Sequence, residues 1–207
     1  MIFALLPVKA PKNAKQRLSG LFTPQQREIL ARAMFEEALA TLCSVEGLAR
    51  RVVVTSDGIA AARARSSGVE VFYETEQLSH SASADAAARR AAALGATTVI
   101  LLPIDVPLAT REEIEMLVAG AEPGVIVVPS ADGSGTNALV RTPPDVIQSC
   151  FGPDSFRKHV SQAEEAGVPV KVLRPPGLLF DIDTPEDVAE LLARAPSSRI
   201  AALLRSW

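Results

Sequence analysis

An α/β fold of the doubly wound type, with a mostly parallel (mixed) sheet, is what this sequence predicts, and three observations carry it. Strand-like and helix-like segments alternate along most of the chain, the pattern of successive βα units. Thr98-Val99-Ile100-Leu101-Leu102 is a β-branched and leucine run with no polar break, as expected of a strand covered on both faces. Two acidic motifs then follow apolar runs directly, where open α/β sheets bind ligands beyond the carboxyl ends of their strands.

Taken in order, residues 2–6 read as a strand and 24–46 as a helix opened by Thr23-Pro24. Residues 51–55 are the next strand, 58–66 a short alanine-rich helix with Asp57 as its cap, and Val69–Phe72 a further strand. A helix over 83–94, the 98–102 strand, a helix from Thr110 to about Gly120 and a strand over Val125–Val128 follow. The final third changes character. Thr136–Val140 reads as a strand, Asp154–Glu165 as a helix, Val168–Leu173 as a strand, and Pro185–Ala195 as the last helix. With no repeat and no linker, this third is expected to complete the same sheet with an antiparallel strand, so that residues 1–207 form a single domain.

The bulk properties fit this reading. The chain has 207 residues, 48% of them apolar, and a net charge of −3. That is ample for one core and gives no basic surface for nucleic acid. No apolar stretch approaches the roughly 20 residues of a membrane span, and Met1-Ile2-Phe3-Ala4-Leu5-Leu6 has no basic start and meets Pro7 and Lys9 too early for a signal peptide. A cytoplasmic protein without nucleic-acid or membrane partners is expected, and the sequence leaves a homodimer open. Cys43 and Cys150 stand far apart, outside any metal-ligand spacing.

The chemistry is concentrated in a few segments. Leu101-Leu102-Pro103-Ile104-Asp105-Val106-Pro107 places Asp105 just past a buried strand. Phe180-Asp181-Ile182-Asp183-Thr184-Pro185 adds two carboxylates at spacing two, which share a face in an extended segment. Magnesium takes a few carboxylates together with phosphate oxygens and water, and Asp105, Asp181 and Asp183 suit that preference. The competing reading is local: Asp105 ends a strand, and Asp183-Thr184-Pro185-Glu186-Asp187 is also a good helix start. Between Pro7 and Leu18, Lys9, Lys12, Lys15 and Arg17 supply cations suited to a nucleotide's phosphates, or else a solvated basic loop. No Gly-x-Gly-x-x-Gly and no phosphate-binding Gly-x-x-x-x-Gly-Lys-Ser/Thr loop is present, which argues against a dinucleotide dehydrogenase and a P-loop kinase.

Further along, Asp132-Gly133-Ser134-Gly135-Thr136-Asn137 is either a backbone approach to a ligand or a plain hairpin turn. Phe151-Gly152-Pro153-Asp154-Ser155-Phe156 offers backbone donors at a helix start, although ordinary capping explains its Asp and Ser. His80 reads as part of a surface turn before the alanine-rich helix. His159, alone in a helix, reads as a surface or satisfied core residue rather than a catalytic one. No Ser-His-Asp or Cys-His ordering supports a nucleophilic enzyme.

With these segments together, the chain resembles the guanylyltransferases that make the phosphodiester precursor of the deazaflavin coenzyme F-420. The resemblance runs through Pro7-Val8-Lys9, Ala14-Lys15-Gln16-Arg17-Leu18, Val54-Thr55-Ser56-Asp57, the Leu-Pro-x-Asp-x-Pro run around Asp105, Gly135-Thr136-Asn137-Ala138-Leu139, Phe151–Phe156 and Phe180–Asp187. These span nearly the full length in family order. The resemblance implies a nucleotidyltransferase-like Rossmann-type fold and transfer of GMP from GTP to phosphoenolpyruvate, 2-phospho-L-lactate or 3-phospho-D-glycerate. It also implies that Asp105, Asp181 and Asp183 hold magnesium, as two ions, and that Thr136, Gly152 and Ser155 receive the phospho-acid. Lys9, Lys15 and Arg17 match the catalytic phosphate-binding stretch. One departure stands out: where many members carry a glycine-leucine-asparagine run entering the third helix, this chain has Ser79-His80-Ser81-Ala82-Ser83-Ala84-Asp85. Contacts to base and ribose are therefore not carried over. Alternatives are a molybdopterin guanylyl- or sugar-phosphate nucleotidyltransferase, which usually has a glycine-rich loop where this chain has Lys9–Asn13, and a non-catalytic nucleotide-binding sensor, which would usually lack the acidic set.

Overall fold

The computed structural model describes residues 1–11, 14–76 and 78–207, so Lys12 and Asn13 of the basic segment, and Gln77, lie outside the described residues. The strands are β1 (Ile2–Pro7), β2 (Arg50–Thr55), β3 (Glu70–Tyr73), β4 (Thr98–Leu101), β5 (Gly124–Pro129), β6 (Thr136–Thr142) and β7 (Val170–Val172). They form one sheet in the order β3-β2-β1-β4-β6-β5-β7. β1 runs parallel to β2 and β4, β2 to β3, and β5 to β7, whereas β6 is antiparallel to both β4 and β5. The fold is therefore α/β with a mixed sheet, as the alternation predicts, and the expected antiparallel strand is β6.

The helices are α1 (Pro24–Ser44), α2 (Gly58–Ser66), α3 (His80–Ala93), α4 (Arg111–Ala119), α5 (Ser155–Glu165), α6 (Pro176–Leu179), α7 (Pro185–Arg194) and α8 (Arg199–Arg205). Strand side chains alternate between two cores. Ala4 and Leu6 of β1 join α1, α2 and α4 on one face, while Phe3 and Leu5 join the alanine stripe of α3 and Ala163 of α5 on the other. Each fully buried leucine contributes about 2 kcal/mol to this arrangement. A third cluster ties Leu30 and Met34 of α1 to Phe180, Ile182, Leu191 of α7 and Leu204 of α8.

Local signals set most boundaries. Thr23 with Gln26, Thr110 with Glu113, and Thr184 with Asp187 form reciprocal capping boxes at the starts of α1, α4 and α7. Asp57 accepts the backbone N–H groups of Ile59 and Ala60, as its expected capping role requires. The alanine-rich helix differs from expectation: it begins at His80, three residues earlier, because Ser79 caps it. A further correction concerns the C-terminal region, where α8 follows α7 under a Ser198 cap. No helix among the described residues is long and apolar enough to cross a membrane.

The reversed β6 matters for function. Its amino end lies beside the carboxyl ends of β4 and β5, with Pro129 opposite Thr136 across a bulge. Thr136 and Asn137 are thereby brought to the edge where the segments following β1 and β4 emerge.

Candidate active site

That edge opens into a cleft with two lobes. One, of about 450 Å³, is lined by Lys9, Lys15, Arg17 and His80. The other, of about 670 Å³, is lined by Thr136, Asn137, Gly152, Ser155 and Asp181. Asp105, Asp183, Arg17 and His80 border both lobes, so the two share a seam.

The seam is a charge junction built by backbone geometry. Phe180 and Ile182 turn into the third core, so the residues between and after them, Asp181 and Asp183, face the other way, toward the cleft. The Ile182 N–H donates to the Asp105 carbonyl at 3.0 Å, coupling the two acidic segments through their backbones. Lys15 Nζ lies 2.9 Å from Asp105 Oδ2 and 2.7 Å from Asp183 Oδ1, with its side chain only 5% exposed. Burial alone would lower its pKa, but the two carboxylates outweigh this and hold the ammonium above its ordinary value. Arg17 stands at the rim, 71% exposed and 3.9 Å from Asp183.

Asp181 is raised above the ordinary carboxylate range, chiefly by burial and further by the charges of Asp183 and Asp105. Asn137 opposes this by donating Nδ2–H to Asp181 Oδ1 at 3.0 Å. Asn137 is therefore a site residue of a kind the spacing only suggested: it fixes a carboxylate. Three carboxylates facing one lysine leave surplus negative charge, which suits a hard divalent cation and the phosphates it would accompany. Among the described residues no three acidic, imidazole or thiol groups stand as a ready-made ligand set, because Lys15 occupies the space between Asp105 and Asp183.

The helix-start alternative for Asp183 does not hold. Thr184 is the cap of α7, and Asp187 returns to the N–H groups of Asp183 and Thr184 at 2.8 and 2.7 Å. The Asp183 carboxylate is left to Lys15 and, at longer range, Arg17.

On the opposite wall, the turn 130–135 satisfies itself. Asp132 accepts from Ser130 Oγ and from the N–H and hydroxyl of Ser134, which pull its pKa down to about 2, and the Gly133 and Gly135 N–H groups bond to Ser130. The segment is thus a self-satisfied hairpin turn, and Ser134 and Gly135 line the cleft together with the Thr136 and Asn137 that follow. Gly152 takes a φ of 119° and Asp154 one of 56°, and the Asp154 side chain does not cap α5. This overturns the expected capping by Asp154. Ser155 is also not a conventional cap: it is buried at the first position of the helix, and its Oγ has no hydrogen-bond partner among the described residues. Lys15 and Asp154 are the non-glycine residues with positive φ among the described residues, and both border the cleft.

Lys9 Nζ donates to the Leu78 carbonyl at 2.5 Å, tying the basic segment to the entry of α3, and burial lowers its pKa. His80 faces this lobe rather than lying in a surface turn. Burial lowers its pKa, the Asp105 charge opposing and the Lys9 charge adding. Of the departing stretch, Asp85 is turned away from the cleft, into an ion pair with buried Arg141 at 2.8 Å.

A doubly wound sheet with a basic lobe, an acidic seam and a donor-lined lobe at the edge past β4 defines an enzyme of the nucleotidyltransferase class. Comparison with known proteins agrees. The family described as "Guanylyl transferase CofC like" matches residues 2–206, and the chain belongs to it. Its relatives include the phosphoenolpyruvate guanylyltransferase of Sphaerobacter thermophilus, 34% identical over 93% of both chains, and the 3-phospho-D-glycerate guanylyltransferase of Colwellia psychrerythraea, 32% identical over 91% of this chain and 90% of that one. A nucleotidyl transferase from Methanothermobacter shares the fold with a TM-score of 0.68 at 16% identity, over 100% of this chain and 99% of that chain.

Proposed function

We propose that this protein transfers GMP from GTP to a small phosphorylated carboxylic acid, phosphoenolpyruvate, 2-phospho-L-lactate or 3-phospho-D-glycerate, with release of pyrophosphate, as a step of coenzyme F-420 biosynthesis in the cytoplasm. The observation that carries this reading is the shared seam: a basic lobe meets a lobe that sets the donors Thr136, Asn137, Gly152 and Ser155 beside several carboxylates, and the two join at Asp105 and Asp183, which Lys15 bridges. Group transfer between two anionic substrates needs such a meeting point.

In this reading Lys9, Lys15 and Arg17 hold the triphosphate, and Thr136, the Gly152 backbone and Ser155 hold the acid. The buried, unpartnered Ser155 Oγ supports that assignment, since an orphan hydroxyl in a cleft wall costs about 1–3 kcal/mol until a ligand satisfies it. A phosphate oxygen of the acid attacks the α-phosphorus, the bond to the β-phosphate oxygen breaks, and the electron pair leaves with pyrophosphate. The lysines and Arg17 stabilise the charge that builds on that leaving group. Asp105, Asp181 and Asp183 would hold magnesium, which when bound would neutralise phosphate charge at the seam.

Pyrophosphate release measured for four nucleoside triphosphates crossed with the three acids, with and without magnesium, tests the assignment. Release should require GTP, one of the acids and the metal. Turnover with CTP or UTP alone would refute the guanylyl part, and release with no acid present would refute the acceptor.

A further inference from the structure

We infer that His159 is a positioning residue that fixes the Thr136 hydroxyl as a hydrogen-bond donor toward the phospho-acid. The inference rests on the reading of Thr136 as an acid contact and adds what orients it.

His159 lies one turn after Ser155 on α5, is fully buried, and has both ring nitrogens engaged. The Cys150 backbone N–H donates to Nε2 at 2.8 Å. A backbone amide can only donate, so Nε2 carries the lone pair and the proton of the neutral ring sits on Nδ1. Nδ1 is 3.0 Å from Thr136 Oγ1, which must therefore accept. Among the described residues Oγ1 makes no other hydrogen bond, so the hydroxyl's own hydrogen is left for the cleft that Thr136 lines. The ring is held edge-on against Phe151, whose centroid lies 5.4 Å away, and Phe151 is itself a wall of the same lobe. Protonation would set an Nε2–H against the Cys150 N–H. Burial, aided by the Arg141 charge, lowers the His159 pKa to about 4, with Asp85 opposing and Lys158 adding to the effect. The chemical consequence is orientation. Donation from Nδ1 occupies one of the hydroxyl oxygen's two lone pairs and leaves its hydrogen to point into the cleft, where a carboxylate or phosphate oxygen can accept it.

The tautomer is read directly on the intact wild-type protein by long-range ¹H–¹⁵N correlation with labelled histidine, since only His80 and His159 contribute. An Nδ1-protonated pattern for His159 is expected; an Nε2-protonated or doubly protonated ring near neutral pH would overturn the inference. Kinetics supply the functional half. His159→Phe keeps the ring volume and should raise the KM for the acid about tenfold, the weight of one misaligned hydrogen bond to a charged group. The KM for GTP should stay near its original value, and His159→Asn, whose amide nitrogen replaces Nδ1, should recover most of the loss. In a Thr136→Val background, His159→Phe should add less than about twofold, because the hydroxyl it orients is gone. Full additivity, or equal damage to both substrates, would overturn the inference. If Thr136→Val alone leaves the KM for the acid unchanged, the acid reading of this lobe fails and takes the inference with it.

Discussion

Asp105→Asn should lower turnover by at least about 10³-fold, about 4 kcal/mol of transition-state stabilisation, while leaving the fold intact. The substitution keeps the side-chain shape and removes one charge from the seam. The Asp105 carbonyl that accepts the Ile182 N–H is unaffected, and Lys15 keeps Asp183 as its charged partner. Pyrophosphate release gives the rate, and urea unfolding with far-ultraviolet circular dichroism gives the fold. Near-original release from a folded Asp105→Asn protein would sink the catalytic assignment of the acidic set.

Lys15→Met should be nearly as damaging in rate, about 10²–10³-fold, and should also change how the protein responds to divalent cations. Methionine fills much of the lysine stem but leaves Asp105 and Asp183 facing each other without their shared ammonium. Breaking a buried ion pair from one side costs up to about 5 kcal/mol. Here the carboxylates are 35% and 41% exposed, so water screens part of that loss and about 2 kcal/mol is expected. Magnesium should restore stability to Lys15→Met more than it adds to the wild-type protein, because the cation meets carboxylates with no competing lysine. Equal unfolding midpoints for the two proteins in chelator, or equal gains on adding magnesium, would contradict this account of the seam.

Most of the scaffold was legible because its signals are local. Thr23-Pro24, Asp57-Gly58 and Thr110 with Glu113 mark helix starts by chemistry that needs no tertiary partner, and the apolar run 98–102 announces a central strand. The short helices were not legible. α6 spans four residues containing Pro176 and Gly177, too short to show a helical period, and Gly177 lies so close to the Leu108 carbonyl oxygen that a Cβ would not fit, a packing fact that no local pattern announces. α8 packs on α1 across most of the chain's sequence length.

The site divides in the same way. Acidic residues after apolar runs and the basic segment after β1 pointed to Asp105, Asp181, Asp183 and Lys15, and the structure brings all four to one edge, although Asp181 and Asp183 follow α6 and not the strand end that the apolar run suggested. Whether Asp183 or Thr184 caps α7 could not be read from a segment that offers both. It is settled by Asp187, whose carboxylate takes two N–H groups and leaves Thr184 to complete the box. The partners Asn137–Asp181 and Thr136–His159 depend on the reversal of β6, which puts residues 44 and 23 positions apart side by side. No local pattern carries that information.

The central claim, that GMP passes from GTP to a phospho-acid at the acidic seam, is tested most directly by following GTP labelled at the α-phosphorus in the presence of magnesium and each acid. The account requires the label to appear in a phosphodiester joining GMP to the acid, in step with an equal amount of unlabelled pyrophosphate. Label recovered in pyrophosphate or free GMP, or an acid that returns unmodified, would contradict it.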